Sequence, residues 1–270
     1  MLSLFVRNSI AAAVGVALSV PALATTVTIG ASKDATIYQN PPDNSNGAGP
    51  GLFAGTNGQS SPRRGLLEFD IAGAVPAGAT VESAQLTMYL GQVAGSGGGD
   101  PTPRTIDLRA LTNEWGEGIT GQGSAIGGSG QGFPANPGDA TWNARLFPDA
   151  LWTTSGGDFA ASASSSTLVG NVINEPYTWL STPTLVSDVQ GWLDSPASNF
   201  GWAVINTEET TPRDFRAFYT RDFSDSALHP ALQISYAPIP EPETYAMFLA
   251  GLGLLGWRMR NAKSRSIYYY

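Results

Sequence analysis

The sequence predicts an all-β protein: an antiparallel two-sheet β-sandwich of the jelly-roll kind, with one short helix, long Gly-rich loops and short helical segments at both ends. Three observations predict it. Short runs rich in Val, Ile, Leu, Thr and aromatics recur through the middle, and Gly, Pro, Asn and Ser clusters separate them. The 32 glycines and 19 prolines of the 270-residue chain supply that punctuation. No internal repeat of about 20 to 50 residues is apparent, which disfavours a propeller or solenoid.

Taken in order, Val27 to Ile29 and Thr36 to Tyr38 are the first short strand candidates. In Gly65 to Ile71, Leu67, Phe69 and Ile71 share one face, and Leu66, Glu68 and Asp70 the other. The clearest strand is Val81 to Leu90, where Ala84, Leu86, Met88 and Leu90 alternate with Gln85, Thr87 and Tyr89, so one face is wet. Ile106, Leu108 and Ala110 repeat the pattern. From Leu111 to Gly157 the chain reads as a long surface excursion, with Trp115, Phe133, Trp142 and Trp152 spaced too irregularly for strands and suited to anchoring a loop. Pro183 to Leu193 is the one helix of the body. Leu185, Val186, Val189, Trp192 and Leu193 make an apolar stripe, Thr182 caps it, Pro183 takes the first helical position, and Ser195-Pro196 ends it. Gly201 to Ile205, Phe215 to Thr220 and Ala231 to Tyr236 complete the strands.

The N-terminus carries a secretory signal peptide. Arg7 precedes an apolar stretch from Ile10 to Val20, and Ala22-Leu23-Ala24 is a small-x-small site for signal peptidase. The stretch is too short for a stable span of the ~30 Å hydrocarbon core. Residues 1–24 are therefore expected to be removed, residues 25–237 to form the sandwich, and residues 238–270 to form a separate tail. An exported chain without cysteine must hold its fold by core burial, and roughly 215 residues suffice for that. Charge is sparse and acidic, with 14 Lys+Arg against 22 Asp+Glu. The two ends hold five of the basic and two of the acidic residues, leaving 9 basic and 20 acidic in the middle, net −11. Such a surface repels nucleic-acid phosphates and anionic membranes, so neither is an expected partner.

After the last strand the composition changes abruptly. Ala237 to Glu243 is Pro-rich and polar, Tyr245 to Trp257 is apolar, and Arg258 and Arg260 follow. Thirteen helical residues span only about 20 Å, which suits a transient membrane stage and strains a permanent one. The residues PEPETYAMFLAGLGLLGWRMR closely resemble the PEP-CTERM sorting signal of Gram-negative bacteria that carry exosortase and make exopolysaccharide. Pro240-Glu241-Pro242, the apolar run and the arginines supply its three features in order, although Asn261 to Tyr270 continue past the usual end. The resemblance implies that exosortase, a membrane-embedded cysteine transpeptidase, removes the tail near Pro240. It implies a protein that is secreted or held at the outer cell surface after a transient inner-membrane stage.

Within the body, SPRRGLLEFDIAGAVPAGATVESAQLTMYL resembles a segment of the DNRLRE-type domain, which is related to disaggregatase repeats. Phe69-Asp70, the turn Pro76 to Ala79 and the strand ending at Leu90 are the matching positions, and later segments fall in the order that family shows. The resemblance implies a jelly roll like that of carbohydrate-binding modules.

Candidate chemistry is thin. One histidine, His229, and no cysteine leave no zinc cluster, and no G-x-S-x-G elbow supports a triad through His229. Glu114, Glu117, Asp139, Asp158, Glu208 and Glu209 are the carboxylates from which a glycosidase pair would have to come, and no catalytic residue is expected among them. Trp115, Trp142, Trp152 and Trp179 are candidates for stacking on sugar rings, each weighed against an ordinary core or loop-anchor role. Asp43, Asn44 and Asn46 form an oxygen-rich turn that suits Ca²⁺, or an ordinary Asn-Gly turn, and no other cofactor is expected. The sequence thus predicts a non-catalytic exported protein with a structural or adhesive role in an exopolysaccharide or biofilm matrix. The alternative is a carbohydrate-binding or polysaccharide-depolymerising protein.

Overall fold

The computed structural model describes residues 24–95, 99–126, 128–237 and 242–264. Among these described residues fifteen strands fill the body: β1 Thr25–Gly30, β2 Lys33–Tyr38, β3 Asn44–Asn46, β4 Gly51–Thr56, β5 Pro62–Glu68, β6 Thr80–Val93, β7 Arg104–Ala110, β8 Phe133–Pro134, β9 Ala144–Leu146, β10 Ala150–Leu151, β11 Ser165–Val169, β12 Pro176–Trp179, β13 Trp202–Asn206, β14 Arg216–Tyr219 and β15 Ala231–Ala237. The main path of pairing runs β1-β15-β6-β14-β4-β5-β13-β7-β11, with β12 on β6 and β2 on β5. Every named pairing is antiparallel. The path turns at β4, whose residues Gly51 to Ala54 pair with β14 and whose Gly55 and Thr56 pair with β5. That turn folds two halves over one another as a β-sandwich.

The main core lies between the halves. Leu86, Phe218 and Ile234 come from one side, and Leu67, Ile106 and Val204 from the other, all fully buried. Burying a side chain of that size is worth about 1.5–3 kcal/mol, so this cluster dominates stability. The alternation expected in the long strand holds: Ala84, Leu86, Met88 and Leu90 are buried, while Gln85, Thr87 and Tyr89 are half-buried. Helix α1, Pro183–Asp194, adds Leu185, Val189, Trp192 and Leu193 to the same core. Its Thr182 hydroxyl accepts the Leu185 N–H at 3.0 Å, the capping role expected of it. Trp192 meets Trp202 edge to face at 4.5 Å between ring centres, and the Trp202 indole donates to Asp188 of the helix.

A second core sits on the outer face of β2, β5 and β13. Ala35, Ile37, Leu66, Ala203 and Ile205 form its floor. Leu66 and Ala203 are register partners, as are Leu67 and Trp202, so successive residues of these strands face opposite cores. The alternating face of Leu66 is therefore buried at Leu66, because the excursion after Leu111 folds back over it and seals it with Trp115, Trp142 and Trp152.

Helix α2, Pro242–Ser264, is longer than the apolar run of the tail, and Phe248, Leu249, Leu252, Leu254, Leu255 and Trp257 are exposed on it. Among the described residues no helix is long and apolar enough to cross a membrane.

Candidate functional site

The outer face of the sandwich carries three shallow depressions that share residues. The first, about 330 Å³, is lined by Arg64, Asp107, Arg109, Phe159, Asn206 and Glu209 among others. The second, about 380 Å³, takes in Thr112, Asn113, Thr153, Asp158 and the same Phe159. A third, about 400 Å³, shares Thr153 and adds Asp43, Asn143, Phe147 and Leu151. Together they form a polar track along the seam between strands and excursion.

Strand alternation sets the first depression. Arg63 and Arg64 are adjacent in β5 and point to opposite sides. Arg63 is buried, its guanidinium 5.1–6.0 Å from the ring centres of Phe215, Phe53 and Tyr38, and burial pulls its pKa down. Arg64 faces outward and lies over Trp142 at 4.8 Å and Phe159 at 5.2 Å. Its guanidinium donates to both Glu209 oxygens at 2.7 and 2.6 Å and to the Gly156 carbonyl at 2.7 Å. Gly156 has φ +94°, and a Cβ there would stand 2.5 Å from the Arg64 Nη1, so the approach requires glycine. Two residues along β7, Asp107 accepts from Arg109 at 2.8 Å and from the Ser166 hydroxyl at 2.7 Å. The Arg109 guanidinium also reaches the Ala161 carbonyl.

Asp158 organises the second depression: its oxygens accept the Thr153 and Thr154 N–H groups and the Asn113 amide. The track therefore presents fixed charged and amide groups beside two partly exposed rings, Phe159 and, in the third depression, Phe147. Such a surface can exchange hydrogen bonds with many hydroxyls while an apolar patch of ligand rests on a ring.

The sequence candidates fall elsewhere. Trp115, Trp142, Trp152 and Trp179 are between 0 and 7 % exposed, so their rings serve as core plugs, the role weighed against sugar stacking. Three of the four indole N–H groups are spent on carbonyls: Trp115 on Phe200, Trp152 on Thr141 and Trp179 on Ile106. Two residues of the oxygen-rich turn donate to backbone carbonyls. Asn44 donates to the Gln131 carbonyl, buried Asn46 donates to Gly51, and Asp43 opens onto the third depression. The six carboxylates are engaged: Glu114 with Arg145, Glu117 with Arg221, Glu208 with Arg104, Glu209 with Arg64, Asp139 with Thr120 and Asn136, and Asp158 as above. His229 is half-buried against the Phe223 carbonyl at 2.7 Å; a carbonyl only accepts, so Nε2 carries the proton. Ala24 is exposed at the start of the described chain, and Arg258 and Arg260 are exposed on α2. Pro242 begins that helix, whereas Ala22, Pro240 and Glu241 lie outside the described residues. Arg64, Arg109, Asp107 and Phe159 carry no motif; the only sequence signal was the adjacent pair Arg63-Arg64, of which alternation must expose one.

A cysteine-free antiparallel sandwich with a polar, aromatic-edged outer face and an appended C-terminal helix defines the chain as a β-sandwich module. Residues 25–121, from β1 to just beyond β7, match carbohydrate-binding module family 96, and residues 238–261 match the PEP-CTERM protein-sorting motif. The chain thus carries a PEP-CTERM tail behind a domain similar to that family, and the segment that resembles the DNRLRE type lies within the matched stretch. No curated protein matches the chain.

Proposed function

We propose that this is an exported glycan-binding surface protein that adheres to exopolysaccharide through the track around Phe159, Arg109 and Asp158. Signal peptidase removes the first 24 residues, and the PEP-CTERM tail holds the chain at the inner membrane until exosortase acts near Pro240. The released body then works in the matrix of a Gram-negative cell surface. The observation that carries this reading is the match of residues 25–121 to a carbohydrate-binding module family, found on a chain with a sorting tail. Supporting it, the track offers ion-paired carboxylates and guanidiniums whose remaining lone pairs and N–H groups suit sugar hydroxyls.

The test is affinity electrophoresis of the purified chain through gels containing bacterial exopolysaccharide. Retardation is expected, and Phe159→Ala with Arg109→Ala should weaken it about tenfold, the loss of ~1.4 kcal/mol that a ring contact and a charged hydrogen bond supply. Equal migration with and without polysaccharide, or full retention in the double variant, would sink the assignment.

A further inference from the structure

We infer that Asp34, Glu117 and Asp222 form a binding site for one divalent cation of the calcium class. The three residues come from distant parts of the chain: the start of β2, the excursion after β7, and the loop after β14. One carboxylate oxygen of each lies within 4.8 Å of the other two. Two oxygens on opposite sides of one calcium ion, each at about 2.4 Å, are about 4.8 Å apart, so a single ion can bridge this spread.

Asp34 points to a ligand independently of the clustering. Its side chain is fully buried; Oδ2 accepts the Arg221 backbone N–H at 2.9 Å, but Oδ1 has no hydrogen-bond partner among the described residues. An unpaired, desolvated carboxylate oxygen is costly unless a cation meets it. Burial, and then the nearby Asp222 and Glu117, hold the Asp34 carboxyl well above the usual carboxylate range. Bound cation would reverse that balance.

One guanidinium now faces three carboxylates. Arg221 donates to both Glu117 oxygens at 2.9 and 2.7 Å, while Lys33 is spent on Glu68. The Arg221 side chain is 40 % exposed and can swing into solvent, leaving its backbone N–H on Asp34. The donors are all oxygens, with no imidazole or thiolate among the three, which favours calcium over zinc. Asp222 is exposed, so water can complete the shell. Bound there, an ion would tie the excursion that covers the second core to β2 and to the end of the body.

The experiment is calorimetric titration of the EDTA-treated, purified chain with calcium chloride, paired with thermal melts. Expected are one ion per chain and a melting temperature that rises with calcium. Asp222→Asn, at an exposed position that leaves the fold intact, should weaken affinity at least about tenfold, and Asp34→Asn more. Absence of heat and of any melting shift at about 10 mM calcium would overturn the inference, as would unchanged affinity in Asp222→Asn.

Discussion

The two cores of this molecule are built on opposite faces of the same strands, yet by different means. The inner core is closed by paired sheet halves, and its members alternate along long strands such as β6. The outer core has a floor of strand residues but a lid of irregular chain, fastened by Trp115, Trp142 and Trp152 and by side chain-to-backbone bonds. Ladder hydrogen bonds are spent within a sheet, whereas a lid must find its partners one at a time and leaves some groups over. The track is lined from both: Asp158 and Asn113 belong to the lid, and Arg64 and Arg109 to strands β5 and β7.

Substitutions that break one core and spare the other test this contrast. Trp202→Ala, in the middle of the inner core, should lower global stability by about 3–5 kcal/mol in urea unfolding. A loss below about 1 kcal/mol would mean that the halves do not depend on that packing. Trp152→Ala should cost about half as much, because the excursion can detach without opening the sandwich. Amide exchange should then quicken across residues 112–160 and stay slow in β6; uniform acceleration would show one core, not two.

A smaller effect concerns the corner at β4. There Asp214 accepts the Thr56 N–H at 2.6 Å, and burial, only partly opposed by that bond and by Arg104 and Arg216, raises its pKa to about 6. Its unfolded value is near 4, so the native state holds the proton more tightly. The stabilising contribution is present below about pH 4 and is lost as pH rises through 6. Asp214→Asn should flatten that fall and leave the variant more stable than the parent at pH 7, as read from melts across pH 4 to 8. Nearby Asp100 runs the other way: burial would raise it, but the Arg104 and Thr102 hydrogen bonds and Arg216 together hold it below its ordinary value. Smallest of all, Glu114→Gln at the exposed Arg145 pair should change stability by no more than about 0.5 kcal/mol.

How much was legible follows the same division. β6, β7, β15 and α1 stood out because one wetter face leaves a periodic pattern, β13 and β14, buried throughout, stood out only as runs of apolar and aromatic residues, and Thr182-Pro183 marks a helix start by known chemistry. β4 was missed because all six of its residues are buried and two are glycine, so Gly51–Thr56 shows no alternation and reads as loop. β11 and β12, Ser165–Val169 and Pro176–Trp179, are short and polar, and only their partners β7 and β6 make them strands. The tail was legible because its three features are contiguous. The track was not, since β5, β7 and the excursion meet only in the fold, and a tryptophan written in a glycine-rich loop looks the same whether it faces solvent or a floor of Ile37 and Leu66.

The pairing of β1 with β15 has a bearing on biogenesis. Thr25 to Gly30 find their backbone partners only in Tyr236 to Ala231, the last strand of the body. A polypeptide threaded outward N-terminus first must therefore keep its opening strand waiting until the closing one arrives. This sheet edge can therefore be completed only when the last strand of the body is present.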